Sequence, residues 1–163
     1  MTIWADGDSL QAEIRSLLCR RANAEAEAAA REAREPRYAA VFVAARRPRL
    51  DLGPGASLVL VEGGPGAADD RIADLAAPGD LAVTRDLPLA ERLAEAGLVV
   101  LNDRGETFDA GSARERRSIR DRAAELRSLG LAPESPRARS WGPRELKAFA
   151  DAFDRALSRA LKG

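Results

Sequence analysis

The stretch "DLAVTRDLPLAERLAEAGLVVLN", residues 80–102, contains the clearest structural pattern of the chain. Residues 80–84 and 98–102 are short apolar runs, and residues 87–97 between them have helical apolar spacing that ends at a glycine. Continuous apolar runs are typical of strands buried on both faces, and glycine commonly ends a helix. We therefore predict a strand, a helix and a strand, which is the repeating unit of a parallel sheet.

The same alternation continues outward along the chain. Further strands are predicted at residues 2–5, 38–44 and 57–61. Helices are predicted from Ser9 to about Ala33, from Asp69, from Ser112 to about Leu129, and from Gly142 onward. The start at Ser112 rests on a capping-box pattern with Glu115. These elements predict an α/β protein, a three-layer α/β/α sandwich with a mainly parallel sheet.

The length of 163 residues suits one hydrophobic core and is short for two. We expect a single domain over residues 1–163, with the helices from about residue 112 packing on or extending the core. The chain has no apolar run long enough to span a bilayer, and its acidic N-terminus is unlike a signal peptide. A single cysteine, Cys19, suits the reducing cytoplasm, and its place among apolar residues predicts a buried, unreactive thiol.

The composition limits the chemistry that the chain can perform. It contains no histidine, which excludes Ser-His-Asp and Cys-His nucleophile arrangements and zinc sites that need imidazole. One cysteine also excludes zinc sites built from several thiolates. A bound metal would need oxygen ligands, which favours magnesium, manganese or calcium. The net charge of zero argues against a wholly basic nucleic-acid binder.

Aspartates follow the predicted strands. Asp6 and Asp8 come after the first strand, Asp86 follows the strand at residues 80–84, and Asp69 and Asp70 begin a helix after a glycine-rich turn. In parallel sheets, ligands bind beyond the carboxyl ends of the strands, so these side chains could converge at one edge. Carboxylates so close together raise one another's pKa unless a cation neutralises them. The pattern predicts a site for magnesium or manganese.

Helix capping is the alternative interpretation of the same acids. Aspartate is favoured at the N-cap and in the first helical turn, which would account for Asp69, Asp70 and Asp86. Capping explains Asp6 less well, because an isolated buried charge is costly. Asp8 stays open between a ligand and a cap. Two other acids stand apart: Asp80 in "PGD" fits ordinary turn chemistry, and Glu62 is a weak additional candidate.

Four segments resemble the YaiI/YqxD family of bacterial proteins. They are "IWADGDSLQAEI" (3–14), "AADDRIADLAAPGDLAVTRDLPLAERLAEAG" (67–97), "LNDRGE" (101–106) and "RELKAFADAFDRAL" (144–157). The resemblance covers nearly the whole chain and is loosest at about residues 23–62. It implies a PIN-like fold, in which a parallel sheet lies between helices and whose better-known members are metal-dependent nucleases.

The segments "AADDRIADLA" and "TRDLPLAERL" are also similar to motifs of the flap-type 5′ nucleases, whose matching aspartates bind divalent metal. This similarity implies catalytic roles for Asp6, Asp69 and Asp86. The implied metal ligands are Asp6, Asp8, Asp69, Asp70 and Asp86.

The sequence departs from these families at three places. The usual D-A-D-A-C-P motif lacks its cysteine and proline here, Pro88 replaces the second aspartate of T-x-D-x-D, and residues 132–141 lack a glycine-rich stretch. Weak, substrate-assisted or lost activity is compatible with these departures.

Basic and polar residues beside the strands are candidates for binding a substrate phosphate. They are Arg46, with Arg47 and Arg49 nearby, together with Arg85, Asn102 and Arg104. Turn chemistry is the alternative for the "NDRGE" residues, and a solvated helix face is the alternative for the arginine-rich run 114–122. Base stacking is not indicated, because no aromatic residues lie among the arginines. Trp4 and Trp141 are interpreted as packing residues.

The leading functional hypothesis is hydrolysis of phosphodiesters in RNA or in single-stranded or structured nucleic acid, with Mg²⁺ or Mn²⁺ as cofactor, by a cytoplasmic protein without membrane contact. A non-catalytic nucleotide- or RNA-binding module is the first alternative, and widely separated carboxylates would favour it. A structural or regulatory protein is the second, and an exposed apolar stripe on residues 146–161 would favour that.

Overall fold

The computed structural model describes residues 1–130 and 141–162. Within them, six strands form one sheet in the order β3-β2-β1-β4-β5-β6. The strands are β1 (Thr2–Asp6), β2 (Ala39–Ala44), β3 (Ala56–Leu60), β4 (Leu81–Val83), β5 (Val99–Leu101) and β6 (Thr107–Phe108). The helices are α1 (Ala12–Arg31), α2 (Ala67–Leu75), α3 (Leu87–Glu95), α4 (Ala110–Ser128) and α5 (Pro143–Ala160). Neighbouring strands are parallel except β6, which runs antiparallel to β5.

A hydrophobic core lies on each face of the sheet. On one face, α1 and α5 pack on the strands through residues such as Leu18, Phe42 and Phe153. On the other face, α2 and α3 pack through residues such as Ile72 and Leu93. Because both faces are covered, the strands are almost wholly apolar, as in other buried parallel sheets. The predicted three-layer α/β sandwich is confirmed.

The strand β1 lies at the centre of the parallel part of the sheet. Its last residues pair with the ends of both neighbours, Asp6 opposite Val43 of β2 and Ala5 opposite Val83 of β4. The chain therefore leaves β1, β2 and β4 at the same edge. Short connections bring the residues that follow these three strands together, which is the position where open α/β sheets bind ligands.

The start of α4 differs from the prediction. The N-cap is Asp109, whose carboxylate accepts hydrogen bonds from the amides of Gly111 and Ser112 at 3.0 and 2.8 Å. The Ser112 hydroxyl accepts the Asp109 amide at 2.9 Å, so Ser112 is the third residue of the helix and not its cap. The predicted box of Ser112 with Glu115 was wrong, because aspartate three residues earlier supplies the reciprocal bonds.

Other boundaries shift by a few residues. The first helix begins at Ala12 instead of Ser9, because the Leu10 amide bonds to the Asp6 carbonyl in a turn at 3.3 Å. The helix α2 begins at Ala67, two residues before Asp69. The strand β6 was not predicted, since two residues carry too little alternation to be recognised.

The terminal helix α5 contributes its apolar face to the core. Phe149 and Phe153 are fully buried, with ring centroids 6.0 Å apart, and Leu157 is also buried. Leu146 and Leu161 are partly buried against the same cluster. The stripe on residues 146–161 therefore packs inside the protein, and the exposed stripe that would have favoured a structural partner protein is not seen. No helix within the described residues has the length and apolar character needed to cross a membrane.

Candidate metal centre at the sheet edge

Asp6 lies at the end of β1 and is only 3% exposed. Its Oδ2 accepts the Thr84 hydroxyl at 2.8 Å, and its Oδ1 accepts the amides of Asp8 and Ser9, each at 3.2 Å. Three donors thus compensate a carboxylate that burial would otherwise destabilise. They also fix the orientation of the side chain toward the sheet edge.

The Asp8 side chain reaches the loop after β2. It accepts the amides of Ala45 at 2.6 Å and Arg46 at 3.4 Å. Gly7 makes this approach possible, because a Cβ there would lie 3.0 Å from the Ala44 Cβ. Asp8 caps no helix, since α1 begins after Gln11. Its bonds fasten the β1–α1 loop to the loop that carries Arg46.

Asp86 is the N-cap of α3. Its Oδ1 accepts the Leu89 amide at 2.8 Å, and its own amide donates to the Thr84 hydroxyl oxygen at 3.0 Å. The capping alternative is therefore correct for Asp86, but the residue also lines the same cleft as Asp6. One carboxylate oxygen caps the helix, and the chemistry of a carboxylate leaves the other able to bind a cation.

Asp69 lies in the first turn of α2 and is half-buried. Its carboxylate makes no hydrogen bond or ion pair with any described residue. Desolvation, followed by the charges of Asp6, Asp86 and Asp70, raises the pKa of Asp69 to about 6. The helix N-cap is Gly66, so neither Asp69 nor Asp70 caps α2, but both lie in its first turn, where the alternative interpretation placed them.

Four of the five predicted metal ligands line one cleft of about 610 Å³ at the carboxyl edge of the sheet. They are Asp6, Asp8, Asp69 and Asp86, and Arg46 and the glycine-rich loop 63–66 complete the walls. Asp70 is not part of this lining. Its carboxylate is 70% exposed and pairs with Arg92 at 2.6 Å.

The donor set limits the kind of metal centre that the cleft can form. Across residues 1–130 and 141–162, no three Asp, Glu, Cys or His side chains are grouped in a way that could hold a metal ion. Magnesium usually keeps several waters and is bound by one or two carboxylates together with substrate phosphates. The otherwise unbonded carboxylate of Asp69, among like charges, fits such a hydrated ion. The arrangement of the described acids does not fit an ion that is coordinated by carboxylates alone.

The predicted substrate-binding residues separate into two groups. Arg46 lines the cleft, beside the carboxylates. Arg85 instead forms an ion pair with Asp103 at 3.1 Å and donates to the Gln11 side chain at 3.2 Å. Asn102 builds the next turn, because its Oδ1 accepts the amides of Arg104 and Glu106 at 2.9 and 3.0 Å. The turn chemistry that was the alternative for this segment is therefore present.

Thr84 is the polar residue that sequence reasoning missed. It is 2% exposed, donates its hydroxyl proton to Asp6 and accepts the Asp86 amide. It thereby links the Asp6 carboxylate at the end of β1 to the backbone of Asp86 at the start of α3. The available signal was its position at the carboxyl end of a strand, where a hydroxyl needs a partner once it is buried.

Several residues outside the cleft were predicted to have structural roles or to be solvated. Asp80 accepts the Thr2 amide at 2.7 Å and the Trp4 indole at 2.9 Å, which confirms a structural role for both Asp80 and Trp4. Cys19 is buried, and burial raises the pKa of its thiol. Arg114 and Arg122 of α4 are exposed. The side chains of Arg116, Arg117 and Arg120, and residues 131–140, are outside the part of the chain that the structure describes.

Comparison with known sequences identifies the relatives of this chain. The model of an uncharacterised bacterial family, YaiI/YqxD, matches residues 5–159. The chain belongs to the YaiI/YqxD family. It is 36% identical over 162 residues to a UPF0178 protein of Syntrophobacter fumaroxidans, with 99% of this chain and 97% of the relative covered.

Two further relatives show the same extent of similarity. A UPF0178 protein of Xanthomonas oryzae pv. oryzae is 40% identical over 156 residues, which cover 96% of this chain and 89% of the relative. One of Treponema pallidum is 38% identical, with 99% of this chain and 84% of the relative covered. No solved structure matches the chain. These matches cover every element that lines the cleft.

Proposed function

We propose that this protein is a divalent-metal-dependent phosphodiesterase that cleaves nucleic acid, with RNA or a single-stranded or structured strand as substrate. The observation that carries the proposal is the meeting of Asp6, Asp8, Asp69 and Asp86 in one cleft, where the pKa of Asp69 is raised to about 6. A PIN-like ancestry and a cytoplasmic location are part of the proposal. The parallel sheet with helices on both faces supports that ancestry.

The residues of the cleft have distinct proposed roles. Asp69 and Asp86 would bind Mg²⁺ or Mn²⁺ directly, while Asp6 and Asp8, whose oxygens already accept hydrogen bonds, would act through water molecules kept by the ion. Asp70 has no role in this proposal, because it pairs with Arg92 outside the cleft. When bound, such an ion polarises a phosphoryl oxygen and lowers the pKa of a bound water. Arg46 would bind a substrate phosphate through its guanidinium group, which donates in a planar fork that matches phosphate.

Thr84 and the Asp8 contacts hold these groups in place. The Thr84 hydroxyl orients Asp6 relative to Asp86, and Asp8 holds the loop that carries Arg46 against the β1–α1 loop. Positioning of this kind is valuable in phosphoryl transfer, where catalysis depends mainly on orientation and charge stabilisation.

The test is a manganese soak followed by anomalous diffraction, together with a cleavage assay on RNA and DNA oligonucleotides. We expect a manganese peak in the cleft and cleavage that depends on the ion. Asp86→Asn should abolish both. Asparagine is as good an N-cap as aspartate, so the variant removes the charge and keeps the start of α3. Asp6→Asn should have the same effect.

The matched control is Asp74→Asn. Asp74 is exposed on α2, the helix that carries Asp69, and does not line the cleft. Its replacement removes the same charge and should leave manganese binding and cleavage unchanged. Cleavage by Asp6→Asn or Asp86→Asn at the wild-type rate would contradict the assignment.

A non-catalytic binding module is the second candidate. It is favoured by the observation that no three metal-ligating side chains are grouped among the described residues, while backbone amides already bind Asp8 and Asp86. This candidate predicts that RNA binding persists in excess EDTA and that no cleavage occurs with any divalent ion. Gel-shift and cleavage assays on the same samples distinguish the two functions.

A further inference from the structure

A second concave surface lies between strands β5 and β6, at one end of the sheet, and the terminal helix α5. This groove has a volume of about 300 Å³ and is lined by β5, β6 and α5. Its floor includes the buried ring of Phe108 and the small side chains of Ala152 and Ala156. It shares no lining residue with the carboxylate cleft.

The turn after β5 closes against α5 beside the groove. Gly105 has φ +76°, and a Cβ there would lie 2.8 Å from both the Ala148 carbonyl oxygen and the Ala152 Cβ. Only glycine fits this approach, because the backbone is in the left-handed region and the space is filled. Gly105 thus lets the turn pack directly on α5 at one end of the groove.

Two arginines from α5 line this groove. Arg155 and Arg159 are four residues apart, so they lie on the same face of the helix with their Cβ atoms roughly 5–6 Å apart. Both are exposed, and neither forms a hydrogen bond or an ion pair with a described residue. Like charges at this spacing repel one another.

The nearby acids compensate these arginines only in part. Asp151 accepts Lys147 at 2.9 Å, and the charge of Arg155 also lowers the pKa of the Asp151 carboxyl. Asp154 accepts Arg21 at 2.6 Å. Asp109 lines the groove as an ionised carboxylate, because hydrogen bonds from Ser112 lower its pKa. The groove lining therefore carries two positive charges and one negative charge.

We propose that this groove binds a phosphate group between the guanidinium groups of Arg155 and Arg159. Each guanidinium can donate two parallel hydrogen bonds, and a carboxylate has two oxygens and satisfies one such fork. A phosphate has enough oxygens for both forks at once. The small alanine side chains leave room for the group to approach the helix, and the Thr107 hydroxyl on the same lining is a further donor.

The phosphate could belong to a free ion or to a nucleic-acid strand. The test follows the arginine Nε–H signals of the full-length ¹⁵N-labelled protein by NMR, with inorganic phosphate, a 5′-phosphorylated dinucleotide and the same dinucleotide without that phosphate as probes. We expect saturable shifts of the Arg155 and Arg159 signals with at least one phosphorylated probe. Binding of inorganic phosphate would indicate that the ligand is a free ion. Binding of a dinucleotide without binding of inorganic phosphate would indicate that the ligand is a nucleic-acid strand.

The variants Arg155→Gln and Arg159→Gln should each weaken binding about tenfold, as expected for the loss of a charge-assisted hydrogen bond. Arg144→Gln is the matched control, because Arg144 is exposed on α5 and lies outside the groove. It should bind as the wild type does. All three positions are exposed, so folding should be retained, and the circular dichroism spectrum checks this.

No saturable shift with any probe would overturn the proposal, as would equal binding by the wild type and both groove variants. Displacement of phosphate by an equal concentration of a glutamate-rich peptide would also overturn it, in favour of an acidic protein segment. Asp86→Asn should bind phosphate in the groove as the wild type does. Phosphate binding in the groove and metal-dependent cleavage can therefore be rejected independently of each other.

Discussion

The Asp69 carboxylate has the least compensated charge among the cleft acids. Asp6, Asp8 and Asp86 each accept hydrogen bonds from amides or a hydroxyl, whereas Asp69 has none among the described residues. Desolvation and its acidic neighbours raise its pKa from 3.8 to about 6. Ionisable side chains with strongly shifted pKa values are common in sites that bind ligands.

The raised pKa of Asp69 makes the stability of the fold depend on pH. Because folding raises the pKa of Asp69, the folded state binds its proton more tightly, so the free energy of unfolding falls as the pH rises from about 4 to 6. The shift corresponds to about 3 kcal/mol, and solvent screening of a partly exposed carboxylate reduces this to about 1 kcal/mol. Asp69→Asn removes this penalty and should raise the Tm by roughly 2–4 °C at pH 7.5 without divalent ions.

At pH 4, where Asp69 is largely protonated in the folded protein, the same substitution should change the Tm little. Differential scanning calorimetry at the two pH values measures both effects. Asp74→Asn, on the same helix and outside the cleft, should show neither. A Tm that falls at pH 7.5 in Asp69→Asn would show that the carboxylate stabilises the fold.

At the scale of elements, ion pairs to the buried Glu25 hold the end of α1 to the segment before β2. The Glu25 side chain is 3% exposed, and its oxygens accept hydrogen bonds from Arg34 at 2.6 Å and from the Arg37 guanidinium at 2.9 Å. The Arg37 amide adds a third donor at 2.9 Å. Hydrogen bonds from Arg37 and then Arg34 hold the pKa of Glu25 far below its usual range.

Glu25→Gln should lower the free energy of unfolding by about 2 kcal/mol at pH 7, the size of a charge-assisted hydrogen bond. Because folding lowers the pKa of Glu25, its contribution to the free energy of unfolding is complete above pH 4.5. The contribution is lost as the pH falls further. The difference between variant and wild type should therefore narrow in acid. Urea unfolding measures it, with the exposed Glu27→Gln as control. Equal stability of Glu25→Gln and wild type at pH 7 would contradict this role.

Over the whole molecule, α5 connects the last residues of the chain to the first strand. Phe149 and Phe153 are fully buried in the cluster that also contains Ile3 and Phe42. Trp141 precedes the helix and donates its indole N–H to the Asp103 carbonyl at 3.3 Å, beside the ion pair of Asp103 with Arg85. The terminal helix therefore supports both the core and the turn next to the cleft.

Phe153→Ala should lower the free energy of unfolding by about 3–5 kcal/mol, because it leaves a cavity in a closely packed core. We expect one urea transition for the whole chain, shifted to lower concentration. Leu129→Ala is the control, since Leu129 is 63% exposed and its truncation should change stability by less than about 0.5 kcal/mol. A loss below 1 kcal/mol in Phe153→Ala would indicate that α5 is peripheral to the fold.

The succession of strands and helices, and the acids that follow the strands, could be predicted from the amino-acid sequence. These features depend on apolar runs, helical spacing and caps, which act over a few residues. Parallel strands end at one edge, so the placing of Asp6, Asp8, Asp69 and Asp86 in one cleft followed from the predicted topology.

The contacts of individual side chains could not be predicted, because they depend on tertiary packing. The Thr84 hydroxyl bonds to Asp6 across 78 residues, Asp70 pairs with Arg92 instead of lining the cleft, and Arg85 pairs with Asp103. Such partners depend on how helices rotate and pack over the sheet, which leaves no local pattern in the chain. The sequence therefore determined where the charges lie along the fold, and packing determined which of them remain available to a ligand.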